Sequence, residues 1–339
     1  FWLKPLSVSH RIFLARSVRM DEFVPYSKRE DWKDVTPVPQ DDGPEPLVVI
    51  RYPPNFEEVH DYFRAIVSRN EFSQRAMELT ADVIENNSAN YTAWYYRRRC
   101  LTKEKSDLSA ELEFTDRWAK DSPKNYQVWY HRRWLIAELA KVASSDEEFA
   151  ALGQSELAYH FDVMMANEDF KNYNGWSHRQ YIVQKFKLWD GEIAFVEDLL
   201  RDDIKNNSAW NHRYTTVKSL NPSFSTELIL GEIQWTLGKL RLCTNNESAW
   251  NYLTAFHGSG PGKVAWNTVP AVKTFCVQVL GKAEEQEAMC RFAVETLARV
   301  HEADGLLDEA LKQYDLLKTI DKIRANYWEY RKQSLQKPA

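Results

Sequence analysis

Glycine is scarce in this chain, 11 residues in 339, and almost no stretch alternates apolar and polar residues as a strand would. Both shortages argue against an α/β nucleotide-binding enzyme. Cysteine is sparse as well. Cys100, Cys243, Cys276 and Cys290 form no CxxC pair and no secreted disulfide framework, which points to free thiols, a reducing compartment and a cytoplasmic location. No run approaches the roughly 18 uninterrupted apolar residues of a membrane span. A basic excess is also missing: 44 Lys and Arg against 49 Asp and Glu give a net charge of −5. That leaves no footprint for nucleic acid. No HExxH, Ser-His-Asp order, paired-carboxylate motif or dinucleotide fingerprint stands out, so the chain does not read as a self-sufficient enzyme.

Tryptophan, in contrast, is abundant, with 13 residues, and five of them anchor a recurring phrase. Asn90 and Tyr91 lead to Trp94, Arg97 and Arg98; Asn125 and Tyr126 lead to Trp129, His131, Arg132 and Arg133. Asn172 and Tyr173 lead to Trp176, His178 and Arg179; Asn206 leads to Trp210, His212 and Arg213; Asn246 leads to Trp250 and Tyr252. The tryptophans lie 35, 47, 34 and 40 residues apart, the period of a helical hairpin repeated into a solenoid. Asn is a strong N-cap, so each phrase opens a helix. Counted from Trp, Asn at −4, Tyr at −3 and Arg at +3 and +4 differ by helical steps and are expected on one face. Segments 73–85, 110–120, 156–166, 192–205 and 226–242 carry apolar residues at three- and four-residue steps and supply the first helix of each pair. The fold class that follows is all-α, an α-α superhelix built as a solenoid of helical hairpins.

Residues 1–19 carry Lys4, Arg11, Arg16 and Arg19 with no acid, which raises a transit peptide. The Met20 that follows starts an independent reading, so 1–19 is read as an N-terminal extension. Seven of the 13 prolines fall between Pro25 and Pro54, so residues 20–54 form a proline-rich arm expected to run extended as a linker or strap. A helical-repeat domain occupies 55–335. The long 47-residue spacing places a surface excursion at Ala143–Gly153. His257–Gly262 is a second break, too short and too far from any strand for a P-loop. Beyond Trp250 the phrase returns only at Trp328, so one unmarked repeat is expected between, built on Glu287–Val300 and Leu307–Leu317, with the final helix closing the solenoid.

The repeated Trp is a packing device. The Arg that follows it needs an acid or carbonyl, with Asp82, Asp116, Asp162 and Asp198 as candidate partners. His131, His178 and His212 share one repeat position, which invites a metal. Each sits on a different repeat, however, and helices stacked 8–10 Å apart do not bring ligands within about 2 Å of one point.

The phrase Asn-Tyr-x-x-Trp-x-x-Arg-Arg at this spacing resembles the α-subunit repeat of protein prenyltransferases. The stretches Asp31–Pro44, Asp61–Ala65 and Phe186–Asp190 extend the likeness over residues 23–335, and they look like the α subunit shared by protein farnesyltransferase and geranylgeranyltransferase type I. The Rab geranylgeranyltransferase α subunit shares the repeats, but the Pro37–Pro44 arm argues against it. A non-catalytic repeat scaffold is the reading from a different class.

The resemblance implies a crescent wrapped around a separate farnesyltransferase or geranylgeranyltransferase type I β subunit. That partner would hold zinc and the isoprenoid, and magnesium would serve the farnesyltransferase complex. No cofactor is expected on this chain. The reaction implied is transfer of a farnesyl or geranylgeranyl group from its diphosphate to the cysteine of a C-terminal CaaX sequence. The family's α-subunit lysine maps onto Lys171, the catalytic candidate, although Lys124 and Lys205 occupy equivalent places and by themselves suggest a solvated repeat lysine. Tyr173 matches a tyrosine at the active-site edge. Asn174 stands where the family usually has the Gln that holds the peptide's carboxylate end, and Tyr126 is a further candidate for lining the same exit.

Overall fold

The computed structural model describes residues 23–260, 262–282 and 289–336. The expected extension 1–19, residues 20–22 of the arm and the start of the unmarked repeat at Glu287 lie outside the described residues. These residues fall into two compact units, one ending at Phe186 and the other beginning at Lys187. All are helix, turn or coil, with one isolated bridge at His257–Val264. Among them no helix is long and apolar enough to cross a membrane.

The first unit holds α1 (Pro54–Arg69), α2 (Gln74–Asn86), α3 (Tyr91–Glu104), α4 (Leu108–Asp121), α5 (Tyr126–Val142), α6 (Asp146–Ala166) and α7 (Tyr173–Phe186). Helices pair as hairpins α2/α3, α4/α5 and α6/α7, with α5 packing on both α3 and α7 and α4 on α6. The second unit holds α8 (Glu192–Asp202), α9 (Asn207–Leu220), α10 (Thr226–Leu242), α11 (Glu247–Ala255), α12 (Pro270–Leu280), α13 (Arg291–Ala303), α14 (Leu307–Ile320) and α15 (Ala325–Gln336). Its hairpins are α8/α9, α10/α11, α12/α13 and α14/α15.

Each phrase Asn caps its own helix, and Asn125, Asn172 and Asn246 do a second job. The cap is made by Oδ1, as when Asn90 accepts from the Ala93 amide and Asn206 from those of Ser208 and Ala209. In those three, Nδ2 donates to the previous repeat, at the carbonyl that also receives that repeat's Trp indole. Ser88 O takes Trp94 Nε1 at 2.8 Å and Asn125 Nδ2 at 2.6 Å; Pro123 O takes Trp129 and Asn172; Ile204 O takes Trp210 and Asn246. Both lone pairs of one part-buried carbonyl are thereby used, and at these three places one hairpin is locked onto the next within its unit.

Three expectations need correction here. Ala143–Gly153 is not an excursion: α6 starts at Asp146, capped by Ser145, and Gly153 packs so closely on Phe186 that an added Cβ would lie 2.5 Å from the ring. The phrase does not occupy a single face. Trp94 and Arg97 turn inward while Tyr91 is 67% exposed, because residues at −3 and +3 from Trp sit about 120° apart on a helical wheel. The unmarked repeat is also shifted. Its second helix is α13, with Cys290 in the place of Asn and the buried Val294 in the place of Trp, and Cys290 Sγ still lies 3.6 Å from the Thr244 carbonyl.

The arm is a strap whose first part makes two 3-10 turns, Tyr26–Lys28 and Glu30–Trp32, rather than running extended throughout. Tyr26 and Trp32 bury against Tyr62 of α1, with ring centroids 5.4 and 5.6 Å from it, and Tyr26 donates to Asp82 Oδ2 at 2.6 Å. Arg64 then holds the Val38 carbonyl at 2.8 Å.

Candidate functional site

The turn between α6 and α7 sets the position of Lys171. Glu168 adopts a left-handed conformation, φ 50°, and the next amide, Asp169, returns to the Met164 carbonyl at 3.2 Å, closing the helix end. Asp169 Oδ1 then accepts from the Lys171 amide at 3.3 Å, and Asn172 caps α7 through the amides of Asn174 and Gly175. Lys171 is left exposed one step before the helix. Tyr173, its first residue, is 83% exposed.

Asn174 reaches sideways to the neighbouring repeat, where its Nδ2 donates to the Lys124 carbonyl at 3.0 Å. Lys124 Nζ lies 3.7 Å from Asp169 Oδ2. With the Asn172–Pro123 bond, these contacts stitch the turn at 123–125 to the turn at 169–174. Lys171, Tyr173 and Asn174 are thus gathered at one edge with Lys124 and with Tyr126, the exposed first residue of α5. The cavity beneath, lined by Pro123, Trp129, Met164 and Asn172 among others, measures about 10 Å³, against several hundred for a typical ligand pocket. This is an open edge, which needs a second surface to enclose a substrate.

The shared histidines lie deeper and do something else. His131 Nε2 donates to Glu111 at 2.8 Å, His178 to Glu156 at 2.6 Å and His212 to Glu192 at 2.6 Å. Glu111 and Glu156 also hold an arginine from the previous hairpin: Arg97 grips Glu111 through two bonds of 2.7 Å, and Arg132 grips Glu156 at 2.6 and 2.8 Å. Arg213 repeats the pattern on Glu232, which also accepts from Tyr252 at 2.6 Å.

Burial pushes the Glu111 carboxyl up, but Arg97 and His131 outweigh it and hold it down at about 2; Glu156 is lowered in the same way against His178 and Arg132. Burial lowers His131 and His178 and so favours the neutral ring in both. Among the described residues no group of three or more His, Cys, Asp or Glu side chains is placed to hold a metal ion.

The arginine partners are therefore mainly glutamates of the following hairpin. Of the four aspartates expected, Asp116 does meet Arg132, at 2.5 Å. Asp82 serves Tyr26, Asp198 pairs with Arg201 on the surface at 2.9 Å, and Asp162 is exposed. The glutamates carried a usable signal, since Glu111, Glu192 and Glu232 each lie 20 residues ahead of the residue at Trp+2, and Glu156 lies 22 ahead.

Helical hairpins whose second helices open with Asn-x-x-x-Trp define an α subunit of the protein prenyltransferase class. The profile of the protein prenyltransferase alpha subunit repeat matches residues 73–104, 108–139, 156–186 and 189–220. The "Protein farnesyltransferase/geranylgeranyltransferase type-1 subunit alpha" of Dictyostelium discoideum is 33% identical, covering 94% of this chain and 96% of its own length. That of Arabidopsis thaliana is 36% identical, covering 94% and 98%. Among solved structures, Candida albicans protein geranylgeranyltransferase-I complexed with GGPP aligns at a TM-score of 0.77 with 28% identity, covering 91% of this chain and 99% of that one. The chain belongs to the family of farnesyltransferase/geranylgeranyltransferase type-1 α subunits.

Proposed function

We propose that this chain is the shared α subunit of a heterodimer that transfers a farnesyl or geranylgeranyl group from its diphosphate to the cysteine of a C-terminal CaaX sequence. In this reading Lys171 faces the diphosphate, Tyr173 lines the active-site edge, and Asn174 with Tyr126 contacts the peptide. The observation that carries it is the stitched edge itself: an exposed ammonium, two exposed rings and a carboxamide held together by two adjoining turns, with no enclosed pocket among them. A β subunit of the farnesyltransferase or geranylgeranyltransferase type I kind completes the site from the other side.

The chemistry asked of this chain is electrostatic. As the carbon–oxygen bond to the diphosphate breaks, negative charge grows on the leaving oxygens, and a fixed ammonium stabilises that state more than the bound substrate. His131, His178 and His212 are each committed to a glutamate, which does not fit a zinc site on this chain. The family resemblance assigns zinc to the β subunit and magnesium to the farnesyl-transferring form, and the free cysteines fit a cytoplasmic complex. Coexpression with each kind of β subunit, followed by a prenyl-transfer assay on a CaaX peptide, is the test. Transfer only by the assembled pair supports the reading; full turnover by the rigorously purified single chain, or no transfer with either partner, refutes it.

A further inference from the structure

The two arginines of the phrase part company in a way that hairpin packing does not explain. Arg97, Arg132 and Arg213 each close on a carboxylate. Arg98 and Arg133, the next residues along α3 and α5, meet none among the described residues. Arg98 Nη1 comes within 3.5 Å of His131 Nδ1, and its guanidinium lies 4.9 Å from the Tyr130 ring. Arg133 donates to Ser177 Oγ at 3.1 Å, lies 5.0 Å from the Tyr181 ring, and keeps a buried Nε without a partner. Burial lowers the proton affinity of both guanidinia. A half-buried cation without a counter-ion is costly unless negative charge is brought to it.

Both arginines stand in rows of exposed rings. Tyr91, Tyr95 and Arg98 recur at i, i+4 and i+7 on α3, as do Tyr126, Tyr130 and Arg133 on α5, so each trio shares one face. Tyr95 and Tyr130 are 54% and 55% exposed, and α3 packs beside α5. The hairpin design does not demand these side chains: α9 has Asn207, Asn211 and Tyr214 at the same positions, and α11 has Glu247, Asn251 and Thr254. Exposed tyrosines around arginines are the composition of protein interfaces.

We propose that Tyr91, Tyr95, Arg98, Tyr130 and Arg133 form a docking strip for the β subunit, and that the β subunit presents carboxylates to Arg98 and Arg133. This rests on the heterodimer reading above and adds to it where the two chains meet and by what chemistry. The strip continues onto the Lys171 edge, since α5 packs on α7, so a partner seated on it also reaches the open site. Two cations in a chain of net charge −5 make a poor match for an anionic polymer but a good one for a pair of carboxylates.

The test combines the full chain with its β subunit and measures Kd by dilution of the heterodimer at low and high ionic strength. Replacing both arginines, Arg98→Gln with Arg133→Gln, is expected to raise Kd about tenfold or more and to flatten its salt dependence. Tyr95→Ser with Tyr130→Ser is expected to weaken assembly while leaving the salt dependence in place. Melting of each variant chain, compared with wild type, separates lost docking from lost folding, and the tyrosine pair decides should the arginine pair fail to fold. Wild-type Kd in both folded variants overturns the proposal. So does a normal Kd with a raised peptide KM, which would assign the strip to substrate, or a loss confined to binding of anionic vesicles, which would assign it to lipid. Failure of the unaltered chain to assemble with either kind of β subunit instead overturns the heterodimer reading, and the strip's partner with it.

Discussion

Lys171 is exposed, and a lysine in purely solvating surroundings changes stability by no more than about 0.5 kcal/mol when removed. If its charge serves the departing diphosphate, Lys171→Ala slows single-turnover prenyl transfer by the heterodimer roughly ten- to a hundredfold, about 1.4–2.7 kcal/mol of barrier. Assembly and melting are expected to survive, and prenyl diphosphate binding to weaken less than the chemical step. A wild-type transfer rate would return Lys171 to the ranks of surface lysines such as Lys205. Asn174 is a separate case, because its amide donor is already engaged with the Lys124 carbonyl. Asn174→Gln adds a methylene and lets the carboxamide reach past that carbonyl. The expected result is a CaaX peptide KM that stays level or falls, measured by steady-state kinetics at saturating prenyl diphosphate. A marked rise in KM would show that the edge is organised around the Asn174–Lys124 bond.

At the scale of the helix, the phrase Asn holds two elements at once, and the two roles separate experimentally. Asn and Asp cap helices about equally well, but a carboxylate cannot donate to the preceding carbonyl. Asn246 is 2% exposed and donates to the Ile204 carbonyl at 2.7 Å. Asn246→Asp therefore keeps the cap, loses the bond between repeats and buries a charge beside an oxygen. The expected cost is about 1–3 kcal/mol in urea unfolding, and an unchanged midpoint would refute the double role. On α6, Gly153→Ala drives a methyl into the Phe186 ring, which is itself packed 4.5 Å from Phe149. Overpacking of this kind costs about 1–3 kcal/mol, and a thermal melt that rises would contradict the packing described. The early start of α6 was legible, since Ser145 and Glu148 stand at capping-box spacing; Ser145 Oγ accepts from the Glu148 amide at 3.2 Å, while the Glu148 carboxylate accepts from the Ser144 amide at 2.7 Å. Repeat spacing drew the boundary too late because a long first helix and an inserted loop lengthen the period equally.

Across the whole molecule, the buried Arg–Glu–His contacts couple stability to pH. Glu111 is held at about 2, below its ordinary 4.5, so its contribution is complete above about pH 4.5 and is lost as pH falls toward 2. His131 and His178 are lowered from 6.5. The unfolded chain therefore takes up protons below about pH 6.5 that the folded chain refuses, which also destabilises on acidification. Both effects have the same sign. The urea midpoint is expected to fall steadily from pH 7.5 to pH 4, and a midpoint that rises over that interval would contradict the neutral state of the histidines.

The sequence alone determined the all-α class, the hairpin period, the N-cap at each phrase and the family, because all of these are local: an Asn four residues before a Trp means the same thing wherever it falls. It also located Lys171, Tyr173 and Asn174 in one turn. Only the tertiary structure decided what those local signals meet. Which carboxylate closes on Arg97 depends on how the α4/α5 hairpin stacks on α2/α3, and the strap's burial of Tyr26 and Trp32 depends on the face that α1 offers. The same stacking brings the Lys124 carbonyl to Asn174 across 50 residues of sequence. It also leaves Arg98 without a carboxylate among the described residues while Arg97, one residue away, has one. A single helical step of 100° separates the inner face of the hairpin from its outer one, and the difference between those faces exists only once the helices have packed.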